Sequence, residues 1–146
     1  MFEGMKKLTV AETEYVAYRL AKELMSWDEP IPDFGSRFPN ILESCLTAPF
    51  QSFAGKNLYR GLIARAAILF YLMIKNHPFQ NGNKRIAVAT LFYFLLENKK
   101  WMRIDEKELY NFAVWVAQSN PKVKSATVQA IQKFIKAYLV KYKDYA

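Results

Sequence analysis

The feature that most constrains this chain is a short polar segment between its two most apolar runs. Residues 66–74 are all apolar, and residues 86–96 are apolar except for Thr90. Helices that are hydrophobic on every side are usually buried by other elements, so these runs predict two central helices. The segment between them, His77 to Arg85, carries the only histidine of the chain with two asparagines, a glycine, a lysine and an arginine. We therefore expect a polar loop at one end of a buried helix pair, a placement that suits a functional site.

The remaining composition is that of one globular domain over residues 1–146. Hydrophobic residues make up 52% of the 146 residues, enough for a single well-formed core. Cys45 is the only cysteine, which excludes an intramolecular disulfide and fits a reducing cytoplasm. The N-terminus lacks the apolar stretch of a signal peptide, and no apolar run approaches the ~20 residues that cross a bilayer. We expect a soluble cytoplasmic protein that does not associate with membranes.

The chain is basic, with 21 Lys and Arg against 13 Asp and Glu and a net charge of +8. A positive excess favours an anionic partner such as a nucleotide, a nucleic acid or an acidic protein surface. Many of the lysines lie in the C-terminal third, where a solvated basic face explains them more simply. Direct binding of nucleic acid is therefore not expected.

Hydrophobic periodicity predicts an all-α bundle of about six helices with one small flap or hairpin. Thr9 and Glu12 have the spacing of a capping box, so a first helix should run to about Met25. A proline-rich connection then covers residues 27–39. Asn40 should cap a second helix over residues 41–47.

The central pair and the C-terminal helices follow. The third and fourth helices should cover residues 58–76 and 83–98, with Asn98 suited to a left-handed C-terminal cap. Residues 101–104 form a short extended link. Asp105 should cap a fifth helix that ends at Asn120-Pro121, and Ser125 should cap a sixth that runs to about Leu139.

Residues 48–57 contain two phenylalanines and a Gly-Lys-Asn turn, which predicts a flap or tight hairpin near the polar loop. Its candidate contacts with a target protein are Phe50, Gln51, Ser52 and Phe53. The alternative is that the aromatic side chains only plug the core.

The polar loop has the residues of a phosphate site. Pro78 disfavours the helical conformation at His77, so the third helix should end there and leave the imidazole projecting as a base. Gly82 lets the backbone turn so that N–H groups at the start of the fourth helix point outward, which together with the helix dipole makes an anion site. Lys84 and Arg85 at this positive helix end cost up to about 1 kcal/mol, which suggests that a phosphate is bound there.

A base beside an anion site fits the attack of a hydroxyl on a phosphoryl group. Each residue also has a simpler interpretation. The histidine can be a helix cap, the Asn-Gly-Asn sequence is ordinary turn chemistry, and the two cations can be solvated. The residues alone leave both interpretations open.

His-Pro-Phe-Gln-Asn-Gly-Asn-Lys-Arg resembles the signature of the Fic/Doc superfamily, His-x-Phe-x-acid-(Gly or Ala)-Asn-(Gly or Lys)-Arg between two central helices. Upstream, Leu42-Glu43-Ser44 and Ala48-Pro49-Phe50 resemble the death-on-curing, or Doc-like, branch. The resemblance covers about residues 40–98. It implies an all-α Fic-type bundle with two buried central helices.

Two positions point to the Doc-like branch. Adenylyl-transferring Fic proteins typically have Gly-Asn-Gly-Arg-x-x-Arg, whereas this chain has Lys84 in place of the last glycine and Val88 in place of the second arginine. The Doc-like proteins are toxins that use ATP to phosphorylate a threonine of translation elongation factor Tu. Adenylylation (AMPylation) is the alternative within the superfamily.

The resemblance also assigns roles to the loop. His77 would be the general base and Asn83 would orient the phosphates. Lys84 and Arg85 would hold the transferring group, and the backbone from Gly82 to Lys84 would form the phosphate nest. Together these give a toxin that transfers a phosphoryl group from ATP to a Ser/Thr hydroxyl of a translation factor.

Asn81 departs from the family pattern, which places there an Asp or Glu that helps to bind Mg²⁺. An amide oxygen can coordinate a hard cation but adds no charge, so a catalytically weak or silent binding module is a further alternative. We find no Ser/Thr-x-x-x-Glu-(Gly or Asn) inhibitory helix pattern. That implies an antitoxin in trans, similar to the Phd partner whose disordered tail folds on the toxin.

Overall fold

The computed structural model describes residues 5–24 and 30–145. Within them the fold is all-α, as predicted, with six long helices and two small antiparallel hairpin-like sheets. The helices are α1 (residues 10–24), α2 (Pro39–Thr47), α3 (Gly61–Lys75), α4 (Asn83–Glu97), α5 (Glu106–Gln118) and α6 (Lys124–Tyr138), with a final turn α7 (Tyr142–Tyr145). The strands are β1 (Ser52–Phe53), β2 (Lys56–Asn57), β3 (Lys100–Met102) and β4 (Leu139–Lys141).

The central helices α3 and α4 are buried along almost their whole length, which confirms the prediction from the two apolar runs. Their fully enclosed side chains include Phe70 and Met73 on α3 and Ile86 and Leu91 on α4. The other helices pack around this pair and bury its remaining faces. None of the helices within the described ranges is both long enough and apolar enough to cross a lipid bilayer.

Helix α1 begins with the predicted capping box. Glu12 N donates to Thr9 Oγ1 at 3.1 Å, and Thr9 N donates to Glu12 Oε1 at 3.0 Å. The middle of the helix, Thr13–Tyr18, is wound as a π-helix, which hydrophobic spacing did not indicate. The predicted end at Met25 and the first part of the proline-rich connection lie outside the described residues.

Two helix starts differ from the prediction. Helix α2 begins at Pro39 rather than after Asn40, because proline's fixed backbone angle and missing N–H suit the first helical position. Helix α3 begins at Gly61 rather than Leu58, because Leu58 N donates to Gln51 O at 3.0 Å and so belongs to the β1–β2 hairpin. The hairpin itself is confirmed by the pairing of β1 with β2.

The end of α4 is capped by a different residue from the one expected. Asn98 has φ −106°, and the left-handed residue is Lys99, with φ 64°. The Asn98 amide is held instead by the N-terminal segment, since Lys6 N donates to its Oδ1 at 2.7 Å. Its Nδ2 also donates to Phe94 O at 2.9 Å, so one side chain ties two segments together.

The C-terminal part follows the predicted order with changes at the caps. Asp105 stands at the N-cap of α5 without a side-chain hydrogen bond to the helix. Ser125 is not a cap. A 3₁₀ turn, Pro121–Val123, runs directly into α6, and the Asn120 side chain caps that turn by accepting from Lys122 N at 2.9 Å. Most of the predicted extended link lies in or directly after strand β3, which pairs with β4. Because β4 begins at Leu139, α6 ends at Tyr138.

Cys45 lies in α2 and has no solvent exposure. Burial raises the pKa of its thiol to about 12. The thiol therefore stays protonated and unreactive in the folded chain.

Candidate functional site

A cavity of about 200 Å³ lies where the C-terminal ends of α3 and α5 meet the polar loop and the start of α4. Four of the residues singled out from the sequence line it together: His77, Asn81, Asn83 and Lys84. The rest of the lining is formed by Ile74, Gln80 and Ala117. Gly82 and Arg85 are not part of this lining.

His77 ends α3 in a left-handed conformation. Its φ is 51°, and its side chain is exposed and borders the cavity. A positive φ is uncommon for a residue with a side chain, and it costs on the order of 1 kcal/mol or more. The next residue is fixed from outside the loop, because Phe38 N donates to Pro78 O at 2.9 Å. The fold thus holds the candidate base in a conformation that it would not choose in isolation.

Asn83 fixes the shape of the loop from inside. Its Oδ1 accepts from Phe79 N at 2.9 Å and its Nδ2 donates to Phe79 O at 2.8 Å. Asn83 is only 7% exposed, so both hydrogen bonds lie away from bulk water. Its amide therefore clamps the loop, and its suggested contact with phosphate remains a prediction.

Phe79 anchors the loop in the core. Its side chain is 1% exposed and lies 6.0 Å from the ring of Tyr18 and 5.7 Å from the ring of Phe34, measured between centroids. The Tyr18 hydroxyl also donates to Pro32 O at 2.6 Å. Residues 30–38 are thereby packed against the loop.

This 30–38 segment belongs to the stretch that was expected to be a proline-rich connection rather than a helix or strand. Besides Phe34 and the Phe38–Pro78 hydrogen bond, it contributes Ile31, which packs against Gly82. The signal that could have found it is Phe34 itself, an aromatic residue among prolines and polar residues that needs a buried position. Hydrophobic spacing is uninformative there because the only regular element of the segment is one 3₁₀ turn, Phe34–Ser36.

Gly82 must be glycine for two reasons. Its φ is 74°, and a Cβ at this position would lie 2.7 Å from Ile31 Cγ1. Both the left-handed backbone and the close approach favour a residue without a side chain. Gly82 therefore lets the 30–38 segment and the loop come into direct contact.

The positive end of α4 faces the cavity. The helix is preceded by Gly82 as its N-cap and has no acidic side chain in its first turn. Lys84, in that first turn, is half-buried and lines the cavity, whereas Arg85 is only 3% exposed. The helix dipole and the Lys84 ammonium both favour an anion at this place.

Lys75, which the sequence did not single out, is not part of the cavity lining but connects two of the helices that surround the cavity. Its Nζ donates to Ser119 O at 2.6 Å and to Ala117 O at 3.1 Å. A lysine that binds the last carbonyls of a helix stabilises the helix end. Lys75 thus holds the C-terminal end of α5 against the end of α3, where Ala117 borders the cavity.

The donors around Asn81 do not fit a magnesium ion held by the protein. Asn81 and Gln80 contribute amides, and none of the described residues that line the cavity is a carboxylate. Across residues 5–24 and 30–145, no group of three or more His, Cys, Asp or Glu side chains could hold a metal. Mg²⁺ is usually bound through one or two carboxylates together with substrate phosphates, and the described residues at Asn81 do not supply such carboxylates.

The β1–β2 hairpin is not near this cavity. The ring of Phe50 lies 6.2 Å from that of Phe94 and 4.6 Å from the Arg65 guanidinium, which is near the start of α3. His77 follows the other end of α3, and a 15-residue helix is about 22 Å long. The expectation that the hairpin lies beside the loop was therefore wrong.

The four hairpin residues differ among themselves. Phe50 is half-buried against the core, which is the plug alternative, whereas Phe53 is 76% exposed. Gln51 and Ser52 are also exposed. Contact of these residues with a target protein stays a prediction.

Comparison with known proteins identifies one relationship. The sequence profile of the Fic/DOC family matches residues 10–95, a range that runs from the start of α1 to near the end of α4 and contains the loop and every residue of the cavity lining except Ala117. No curated protein and no solved structure gives a significant match.

Proposed function

Since this chain belongs to the Fic/DOC family, we propose that it is a Doc-like toxin that transfers a phosphoryl group from ATP to a Ser or Thr hydroxyl of a protein. The proposed target is a translation elongation factor. The proposed regulator is an antitoxin that binds in trans. Target, regulator and donor are carried over from the resemblance of the His77 to Arg85 loop.

The observation that supports a transfer reaction is that His77 and Lys84 border one small cavity at the positive end of α4. A base and a cation that line the same cavity can serve the two reacting groups together. The hydroxyl of the target needs a proton acceptor, and the phosphoryl group needs positive charge. In phosphoryl transfer, such positioning and charge stabilisation supply most of the catalysis.

The proposed step is an in-line displacement. The target hydroxyl oxygen forms a bond to the γ-phosphorus of ATP while the bond to the bridging oxygen breaks, and ADP leaves with that electron pair. His77 accepts the hydroxyl proton. Lys84 and the dipole of α4 offset the negative charge on the transferring group.

Two features favour γ-phosphoryl over adenylyl transfer. Val88, at the position of the second arginine of adenylyl-transferring relatives, is fully buried in α4, so no cation is supplied there. The cavity of about 200 Å³ is also smaller than the roughly 300–1,000 Å³ of small-molecule sites. It suits one phosphoryl group, with the nucleoside outside.

A second candidate function is supported by Asn81. Because this residue brings a neutral amide to a cavity whose described lining residues include no carboxylate, the loop would be able to bind a phosphate or a partner protein without catalysis. In that case the toxin would act by occupying its target.

The test incubates the protein with ATP labelled at either the α or the γ phosphate and with fractionated translation factors. We expect label on protein from the γ position only. The His77→Ala variant should lower the rate by about 10²–10⁴-fold, the usual contribution of a general base. Label from the α position would show adenylylation instead.

Two further variants separate catalysis from binding. Asn81→Asp restores the family's acid and should raise the rate of labelling, while Asn57→Asp in the hairpin makes the same charge change at an exposed position away from the cavity. If growth inhibition persists in His77→Ala without any labelling, the binding-module function is correct and the transferase proposal fails.

A further inference from the structure

The outer side of α5 and α6 carries aromatic side chains that remain in contact with solvent. Phe112 and Phe134 stack with their ring centroids 3.9 Å apart, and both are half-buried. Trp115 stacks on Phe112 at 5.4 Å and is 49% exposed. Large apolar side chains that lie together on a protein surface commonly mark an interaction site. We propose that this surface, which is outside the loop cavity, binds an acidic amphipathic helix of another protein.

Small side chains on α6 extend the apolar surface beyond the aromatic rings. Ala126, Ala130 and Ala137 are each at least partly exposed. At 100° per residue they fall on the same side of α6 as Phe134. Because the distance between packed helices depends on the side chains at their contact, alanines let a second helix come close. The α5–α6 face is defined here by Phe112, Trp115, Ala126, Ala130, Phe134 and Ala137.

Side-chain contacts make this face a groove with a firm floor. Phe112 meets Phe134, and one turn further along each helix the Tyr138 hydroxyl donates to Glu108 Oε2 at 3.3 Å. The two helices are therefore antiparallel, and both also pack against α3. Phe112 in turn stacks on Phe70 of α3, with 6.4 Å between the centroids. The aromatic floor is thus supported by the core and needs little rearrangement to receive a partner.

Positive charge surrounds the α5–α6 face. The chain from Leu109 to Tyr138 has no acidic residue. It has four lysines: Lys122, Lys124, Lys133 and Lys136. Lys133 is exposed and, four residues before Ala137, is its neighbour on the helix surface. A partner with acidic side chains along the edge of an apolar stripe is therefore complementary to this face in both charge and polarity.

Other occupants fit the same face less well. A second copy of the chain would bring the lysines of two α6 helices together, and juxtaposed like charges oppose association. Single-stranded nucleic acid binds basic surfaces by stacking its bases on aromatic rings, but Phe112 already stacks on both Phe134 and Trp115. A stripe at helical spacing instead matches the pattern of anchors in a helix that lies in an apolar groove.

The length of the stripe sets the size of the partner segment. From Ala126 to Ala137 the stripe extends about 16 Å at 1.5 Å per residue, or about three helical turns. Isolated helices of this length are marginal in water, so the segment is expected to fold as it binds. We expect Trp115 to act as the anchor, since tryptophan is enriched among the residues that dominate binding free energy.

The test titrates the ¹⁵N-labelled full chain with synthetic peptides of about 14 residues, long enough to form a helix when bound. The first peptide has Leu at helical spacing on one side and Glu elsewhere. The second has Lys in place of Glu, and the third has the composition of the first with its Leu residues scattered. We expect a saturable shift of the Trp115 indole N–H signal with the first peptide only, while the Trp101 indole signal stays unchanged.

Two results of this titration would overturn the proposal. An equal shift with the scattered peptide would show that the surface attracts negative charge and does not recognise a helix. The absence of a shift with the first peptide at millimolar concentration would show that the face does not bind acidic helices. Replacing Trp115 by Phe assigns the indole signal before the titration.

Charge-matched variants locate the binding, which is measured by the fluorescence anisotropy of labelled acidic peptide. Ala130→Glu places a carboxylate against the apolar stripe of the partner and should weaken binding about tenfold or more. Gln132→Glu makes the same charge change on another side of α6, where Gln132 lines a cavity with Tyr59 and Ile68, and should change binding little. Equal weakening would show that binding follows net charge, and would reject the site.

Removal of the anchor provides an independent check. Trp115 is exposed, so Trp115→Ala should leave the fold intact by circular dichroism and weaken binding of the acidic peptide about tenfold or more. Unchanged affinity in Trp115→Ala would contradict the proposal even if Ala130→Glu failed to fold.

Two further measurements test the other occupants. Oligothymidine should shift the Trp115 indole signal less than the acidic peptide does, and tighter binding of oligothymidine would make the face a nucleic-acid site instead. Sedimentation without peptide should show a monomer, and a dimer that Trp115→Ala dissociates would mean that a second copy covers the face. His77→Ala should bind the peptide like the wild-type chain, so failure of the proposed transferase would leave this result unaffected.

Discussion

The two ends of the α3–α4 pair have similar chemistry and opposite construction. Both have basic side chains, the N-terminus of a long helix and residues in the left-handed conformation. At the loop end, Gly82 is buried and packed against Ile31 of another segment, although the His77 side chain is exposed. At the hairpin end, every residue from 51 to 58 is exposed.

Similar backbone conformations therefore occur in two environments, one packed against other segments and one exposed. His77 and Gly82 have φ of 51° and 74°, and Ala54 and Gly55 in the hairpin have φ of 53° and 78°. The backbone conformations therefore match in pairs, while the surroundings differ. Substitutions made in parallel at the two ends can separate the cost of a conformation from the cost of a contact.

The largest difference is expected between Gly82→Ala and Gly55→Ala. Both place a Cβ on a left-handed backbone, which costs about 1–2 kcal/mol. Only Gly82→Ala also forces a Cβ to 2.7 Å from Ile31 Cγ1, and overpacking of this kind costs a further 1–3 kcal/mol or so. Urea denaturation should therefore show a total loss of about 2–5 kcal/mol at Gly82, against about 1–2 kcal/mol at Gly55.

Ile31→Ala in the Gly82→Ala background provides the check. Removing the opposing side chain should recover part of the lost free energy of unfolding, as a double-mutant cycle would measure. Equal destabilisation by the two glycine substitutions would mean that the Ile31 contact places no constraint on the loop.

The next largest difference is between Asn83→Ala and Asn57→Ala. The first leaves the N–H and C=O of Phe79 without the amide that satisfies them, at a cost of about 2–3 kcal/mol. The second changes an exposed hairpin side chain and should stay within about 0.5 kcal/mol. Thermal denaturation followed by circular dichroism would measure both. Similar values would argue that Asn83 does not clamp the loop.

Lys75→Met and Lys56→Met form a third pair. Loss of the Lys75 hydrogen bonds to the carbonyls of Ala117 and Ser119 should lower the free energy of unfolding by about 1 kcal/mol, after allowance for partial exposure. Removing the exposed Lys56 ammonium should change it by less than about 0.5 kcal/mol. Hydrogen exchange in the last turn of α5 should also become faster in Lys75→Met but not in Lys56→Met. Unchanged exchange in Lys75→Met would contradict the role of Lys75 in holding the end of α5.

The smallest effect is a gain in stability at the candidate base. Glycine tolerates positive φ better than alanine, so His77→Gly should be more stable than His77→Ala by about 1 kcal/mol. Ala54→Gly should give a similar gain over the wild-type chain, because the backbone angle is nearly the same. Only the His77 substitutions should abolish protein labelling. If His77→Gly is the less stable of the two, the left-handed conformation is not a source of strain.

The sequence predicted the central pair and the residues of the loop because both depend on local patterns. Burial on every side is visible in residues 66–74 and 86–96, and Pro78 and Gly82 dictate local backbone geometry. The contacts that shape the site could not be predicted, because they join residues that are distant in the sequence. Ile31, Phe38 and Lys75 act on the loop through tertiary contacts that have no period in the sequence.

The misplaced hairpin has the same explanation. Its two strands were identified from turn residues, but its distance from His77 is set by the length and direction of α3, which propensity does not reveal. The caps expected at Asn40, Asn98 and Ser125 failed because a proline, a contact with Lys6 and a 3₁₀ turn, respectively, fixed those helix ends instead.

The buried thiol of Cys45 supplies a built-in reporter for the opening of α2. With no solvent exposure and a pKa raised to about 12 by burial, Cys45 can be alkylated only after α2 leaves the core. Helix α2 starts directly after Phe38, the residue whose N–H binds Pro78 of the loop. A ligand that binds the loop and keeps this hydrogen bond closed should therefore slow alkylation of Cys45 by a factor of 1 + [L]/Kd. The rate of alkylation of this one cysteine can thus measure how much of the loop is occupied by ligand.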